Sequence, residues 1–256
     1  MSFDDLLFSL DSNATACEFL ARKIRSIVRD PNVAEELIPN ASDYPIGSRR
    51  LINSDRYYES FNRPNVHLVD VREDPICRLS ETGIVLESGK EIDLDIIVLA
   101  TGFDALTGAM LDMDIVGRDG ISLGDKWAEG PSSYLGIALE GFPNLFTITG
   151  PGSPSVLSNM VLSIEQHVDF VAQLLDWMRE HEVAVTEPER EFETRWGRKV
   201  YEVAMPTVFS RAVSWYWGAN VEGKPEVFMP YLGGVGTYRE ECDQIARNNY
   251  EGFSFR

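Results

Sequence analysis

Apolar residues recur at helical spacing in several stretches of the chain, and between them lie short alternating or unbroken apolar runs. Ala16, Leu20, Ile24 and Ile27 predict an amphipathic helix over 13–29, with Asn13 as its N-cap and Pro31 as its stop. Residues 32–38 add a short helical turn. A long helix is predicted over 158–180, with Val161, Ile164, Val168, Val171, Leu175 and Met178 as its apolar stripe. Another over 188–204 carries Phe192, Trp196, Val200 and Val203, and a last short one spans 238–248. Asn65–Asp70 reads as a strand after the turn Asn62-Arg63-Pro64. Ile76–Leu79, Gly83–Glu87 and Glu91–Asp93, separated by Thr82-Gly83 and Ser88-Gly89-Lys90, have the grammar of an antiparallel meander. Ile96-Ile97-Val98-Leu99-Ala100 and Asn144–Thr149 read as strands covered on both faces, the second closing in Gly150-Pro151-Gly152-Ser153-Pro154. Strands and helices alternate, so the expected class is α/β.

Composition narrows the function. The chain has 256 residues, enough for one large domain or two modest ones, and a formal net charge of −18. That acidity argues against a nucleic-acid surface, which needs a concentrated basic patch. Cys17, Cys77 and Cys242 are scattered and odd in number, which suits reduced thiols better than disulfides or zinc. Three histidines, His67, His167 and His181, show no metal-ligand spacing, and His167 sits among apolar neighbours as a structural residue does. The acidic N-terminus does not fit a signal peptide, and no apolar run has membrane-spanning length. The expectation is a soluble, cytoplasmic protein with no metal, membrane or nucleic-acid partner.

Two segments carry candidate chemistry. Tyr44-Pro-Ile-Gly-Ser-Arg-Arg50 sets two adjacent arginines after a glycine turn, and Ile96–Ala100 runs into Thr101-Gly102-Phe-Asp104. Fixed positive charge beside a strand end suits a phosphate or a transient anion near a nucleotide cofactor. No complete dinucleotide fingerprint occurs; Gly150-Pro-Gly152 and Gly233-Gly-Val-Gly236 lack its spacing.

The longer string Ala100-Thr-Gly-Phe-Asp-Ala-Leu-Thr-Gly108 resembles Baeyer–Villiger monooxygenases, class B flavin enzymes. Gly130-Pro-Ser-Ser-Tyr-Leu-Gly136, Gly150-Pro-Gly-Ser-Pro-Ser155 with Asn159-Met160, Ser214-Trp-Tyr-Trp-Gly-Ala-Asn-Val221 and Tyr231-Leu-Gly-Gly234 extend the likeness over essentially the whole chain. It matches the second half of the family pattern. The resemblance implies a partial two-dinucleotide-binding-domain flavoprotein fold with the N-terminal Rossmann half absent. Residues 1–100 would be the remaining part of the NADP-binding domain, and 101–256 the C-terminal part of the FAD-binding domain.

It also implies FAD, NADPH, O2 and a ketone that is converted to an ester or lactone, in secondary or degradative metabolism. Arg50 matches the family arginine that stabilises the oxygenating anion and the tetrahedral adduct; a solvated arginine at a loop edge is the plain alternative. Arg49 matches a contact to the NADPH 2′-phosphate, and Trp215 a ring N–H on the nicotinamide cofactor. For Trp215 a packing aromatic is an equal alternative. Thr101 and Gly102 match backbone approached by the cofactor. Asn159 and Met160 match the helix start that meets the flavin, where free N–H groups suit negative charge. Ser155, Val156 and Leu157 match a loop bordering the substrate pocket, and Asp104 an anchor of its own loop. A half pattern leaves alternatives: a catalytically inactive remnant, or an accessory half needing a partner chain or homo-oligomer. An N-hydroxylating flavin enzyme is a third.

Overall fold

The computed structural model describes residues 4–40, 44–155, 158–212 and 214–256. They form two compact units, 1–102 and 103–256.

In the first unit, α1 (Leu10–Ile27) and α2 (Pro31–Leu37) pack through Ile24, Val28 and Ala34, with Leu20, Leu37, Tyr58 and Phe61 closing the cluster. Ser9 caps α1 by accepting the Ser12 N–H, and Asp30 caps α2 by accepting the Asn32 N–H with Pro31 at the first position. Asn13 is therefore not the cap: the helix begins a turn earlier and buries that side chain. A one-turn α3 (Tyr57–Ser60) follows. The meander is as expected, with β1 (Ile76–Leu79), β2 (Gly83–Leu86) and β3 (Glu91–Asp93) antiparallel in that order. Gly83 pairs with Asp93, and a Cβ on it would lie 1.9 Å from the Ile92 carbonyl oxygen, so only glycine permits this register.

Two expected strands are absent. Residues 65–70 and 96–100 have no ladder partner among the described residues. Val98 and Leu99 are each 81% exposed where burial on both faces is expected. A strand exists only through its neighbours, and a β-branched run without them stays unpaired.

The second unit carries α4 (Gly108–Leu111), α5 (Leu123–Lys126), α6 (Met160–Glu180), β4 (Thr186–Pro188), α7 (Arg190–Ala204), α8 (Val235–Arg247) and β5 (Phe253–Phe255). Leu123, Trp127, Leu139 and Phe142 form one core cluster. Antiparallel β4–β5 ties the end of the chain to the α6–α7 connection. The α6 stripe is corrected: Ser163, Gln166, His167, Phe170, Leu174 and Met178 are buried, whereas Val161, Ile164, Val168 and Leu175 are exposed. Both faces of this helix are apolar enough to bury, and hydrophobicity alone does not choose between them. Asn144–Thr149 is also not a strand. Asn144 and Thr149 lie at φ 57° and 55°, which breaks extended backbone at both ends, and only Phe146 bridges to Ala138. Among the described residues no helix is long and apolar enough to cross a membrane, and no cluster of metal-ligating side chains occurs.

Candidate functional site

In the first unit the arginine pair is presented by a pinned turn. Buried Asn13 donates to the carbonyls of Leu6 (3.0 Å) and Ile46 (2.8 Å) and accepts the Ile46 N–H (2.9 Å). Gly47 takes φ 91°, and the Ser48 N–H closes the turn on Pro45 at 3.0 Å. Arg49 and Arg50 emerge exposed, with the Arg49 guanidinium stacked 4.1 Å from the Tyr44 ring centroid. Thr101 and Gly102 are exposed, and Gly102 adopts φ 92° with open space about it. Sequence reasoning missed Asn13 as the anchor, because one polar residue on an apolar helix face reads as a cap. Asn13→Ala strands both polar groups of Ile46 and should destabilise the first unit by about 2 kcal/mol in urea unfolding.

In the second unit the turn 149–155 is held from all sides. Left-handed residues bracket it, Thr149 at φ 55° and Ser155 at φ 30°, and a β-branched residue there is strained. Distant partners take up its backbone. The Gly152 N–H reaches the Met229 carbonyl at 2.6 Å, and the Tyr231 N–H reaches Ser153 at 2.8 Å. Trp196 Nε1 donates to the Gly152 carbonyl at 3.0 Å, and Ser133 Oγ to Pro151 at 2.5 Å. The Thr149 N–H donates to Nδ1 of fully buried His167 at 2.9 Å. Because that contact needs a lone pair, Nε2 carries the proton and donates to Tyr238 Oη at 2.8 Å; Tyr238 in turn donates to the Leu135 carbonyl at 2.6 Å. Burial pushes the imidazole down to about 4.

Ser155 is buried, and Asn159 caps α6 by accepting the Val161 N–H at 3.0 Å. The 21-residue helix thus presents its positive end at Met160. Val156 and Leu157 lie outside the described residues. Trp215 is half-buried with its ring 4.3 Å from that of Tyr216. Trp127, Trp196 and Trp217 each donate their ring N–H to a backbone carbonyl, while Trp215 has no such bond among the described residues. Met229 joins this segment to the turn, since its N–H donates to the Tyr216 carbonyl at 2.9 Å while its own carbonyl holds Gly152. Asp104 is an anchor, through an ion pair with Lys224 and the Gly108 N–H on its carbonyl at 3.2 Å. Burial pushes the Cys242 thiol up to about 12, which disfavours the thiolate a nucleophile needs.

Four buried hydroxyls, Ser48 Oγ, Thr107 Oγ1, Thr186 Oγ1 and Ser214 Oγ, lack a partner among the described residues, and Ser48 and Ser214 immediately precede the candidate contact residues Arg49 and Trp215. Orphaned polar atoms at these positions fit a polar ligand that satisfies them. Ser48 Oγ and Ser214 Oγ are thus compatible with a polar ligand, whereas no glycine-rich strand–helix turn for a pyrophosphate occurs among the described residues.

No family model matches the chain. A Baeyer–Villiger monooxygenase of Pseudooceanicola batsensis is 41% identical over 97% of this chain and 45% of its own length. The phenazine N-monooxygenase PhzNO1 of Lysobacter antibioticus is 38% identical, covering 98% of this chain and 46% of its own. Among solved structures, the OTEMO complex with FAD and NADP superposes with a TM-score of 0.93 at 40% identity, over 99% of this chain and 46% of that one. The class is therefore α/β, part of a two-domain flavoprotein fold. Over its own length the chain is similar to Baeyer–Villiger monooxygenases, and it spans about half the length of the relatives it matches.

Proposed function

We propose that this chain carries part of the site of an FAD- and NADPH-dependent Baeyer–Villiger monooxygenase that inserts one oxygen atom from O2 beside a ketone carbonyl. The observations that support this reading are, in the first unit, Arg50 on its pinned turn and, in the second, the strained 149–155 turn and the capped N-terminus of α6. When bound, the flavin supplies oxygen activation and NADPH its reducing equivalents. Arg50 holds positive charge against the oxyanion that develops on the substrate carbonyl. Arg49 pairs with the nucleotide phosphate, and Trp215 donates its ring N–H to the nicotinamide nucleotide. Thr101 and Gly102 admit the cofactor against bare backbone, and the first turn of α6 from Asn159 and Met160 faces the flavin with unsatisfied N–H groups. Ser155, with Val156 and Leu157, borders the ketone.

On this reading 1–100 is the remaining part of an NADP-binding domain and 101–256 the C-terminal part of an FAD-binding domain, in a cytoplasmic enzyme. The uncovered apolar run at 96–99 supports a partner chain or second copy that completes the sheet. A second reading, oxygenation at nitrogen, is favoured by the likeness to the phenazine N-monooxygenase. The test is the visible spectrum of the purified chain with FAD and then NADPH. A bound flavin spectrum that NADPH bleaches and air restores supports the proposal, and ketone and amine substrates then separate the two chemistries. A chain that stays colourless both alone and with added dinucleotide-domain protein refutes it and leaves the inactive-remnant reading.

A further inference from the structure

Within the second unit a cavity of about 620 Å3 opens between α7, the 118–133 stretch and Val227–Met229. That volume lies in the range of small-molecule sites. The cavity is lined by apolar side chains that are themselves buried: Trp196, Val200, Phe228 and Met229. Four cations, Arg118, Lys126, Arg190 and Arg198, and three acids, Asp119, Glu140 and Glu193, also line it.

The acids differ in what they have left to offer. Glu193 is saturated: it accepts Ser132 Oγ at 2.6 Å, the Glu140 N–H at 2.6 Å and Lys126 Nζ at 3.1 Å. Glu140 is bound by Lys126 at 2.9 Å and Arg190 at 3.3 Å. Asp119, with its side chain 91% exposed, lies 3.8 Å from Arg118. Arg118 is committed to Glu187 at 2.7 Å. Arg198 remains, exposed and with no acidic partner among the described residues. In a chain of net charge −18 this depression thus offers an apolar lining with Arg198 as its uncommitted cation among the described residues.

Gly197 adds an independent observation. It lies inside α7 on the cavity wall, and a Cβ built there meets nothing within 4 Å. Neither packing nor backbone conformation requires glycine, although glycine inside a helix is less stable than alanine. A bare helix surface facing an open cavity is what a ligand lying against it needs.

We propose that this cavity binds a small organic acid, a carboxylate on an apolar body of about eight to ten carbons, with Arg198 taking the carboxylate and the body lying over Gly197 on the apolar lining. This site does not depend on the oxygenase reading. The test is saturation-transfer NMR on the full chain with sodium decanoate, and with decyltrimethylammonium as the charge-reversed probe. Decanoate should saturate, and the cation should bind at least about tenfold more weakly. Arg198→Glu should weaken decanoate about tenfold, and Gly197→Trp should abolish its binding by filling the space. Gly197→Ala should retain binding and raise Tm by about 2–3 °C. No saturation, equal binding of the cation, or decanoate binding that survives both Arg198→Glu and Gly197→Trp overturns the proposal. The last outcome would place the probe on the exposed apolar run at 96–99. If circular dichroism shows Gly197→Trp unfolded, the exposed Arg198→Glu variant decides.

Discussion

Arg50→Ala should lower oxygenated-product formation by about 10²–10³-fold in any assembly of this chain that binds flavin, while flavin reduction by NADPH changes little. The expectation follows from charge. A guanidinium is positive at any working pH and points a fixed set of donors, so it favours an anion developing at the carbonyl over the neutral ketone that precedes it. Interactions stronger in the transition state than in the ground state appear in kcat, and a missing preorganised donor at an oxyanion costs about 3–4 kcal/mol. The turn that presents Arg50 is pinned through Asn13 and Gly47, and circular dichroism of the variant checks that it still stands. Arg50→Lys keeps the charge but loses the planar fork, and it should restore only part of the rate. The measurement is product formed against NADPH consumed. Undiminished product from Arg50→Ala would remove the assigned role; loss of flavin reduction together with product would make the residue a cofactor anchor instead.

Much of the fold is legible in the sequence where information is local. The meander falls at Ile76–Leu79, Gly83–Leu86 and Glu91–Asp93 because its short runs and the turn residues between them, Gly83 and Gly89 included, are neighbours in sequence. Helices α6 and α7 likewise follow from apolar spacing, which places 158–180 and 188–204 close to the observed Met160–Glu180 and Arg190–Ala204. Legibility ends where a neighbour distant in sequence decides. The run at 96–100 has strand composition but no described strand beside it, and α6 offers two apolar faces of which the core takes the one that includes Ser163, Gln166 and His167. Three-residue β4 and β5 are too short to show a period. At the candidate site, the arginine pair is legible as fixed charge after a glycine turn, whereas the role of Arg50 and the choice of Asn159 and Trp215 come only through the family resemblance. Of the residues that hold the two turns in place, Asn13 reads as a helix cap, while Trp196, Met229 and Tyr238 carry no sequence mark of their bonds to remote backbone groups.

The second unit should lose about 3 kcal/mol of stability between pH 6.5 and pH 4 through His167 alone. Its imidazole is neutral in the native state and is pushed down to about 4 by burial, against an ordinary value of 6.5. Between those values the unfolded chain binds a proton that the folded chain does not. The contribution is therefore fully present above about pH 6.5 and declines as pH falls towards 4, below which both states are protonated and the loss stops growing. Geometry gives the molecular reason. Protonation would put a hydrogen on Nδ1, facing the Thr149 N–H at 2.9 Å, donor against donor. The strained Thr149 would then lose the bond that fixes it, and the 149–155 turn one of its supports. Acids titrate in the same range, so the variant rather than the wild type isolates the effect. His167→Gln can accept from Thr149 and donate to Tyr238 but cannot ionise. All five tryptophans lie in the second unit, so their fluorescence in urea reports its unfolding directly. Wild type should show the extra proton-linked slope between pH 6.5 and 4, and His167→Gln should lack it while being less stable at neutral pH by about 1–2 kcal/mol from poorer bonding. Parallel pH profiles for the two proteins would mean that the histidine is charged, or reached by water, in the native state.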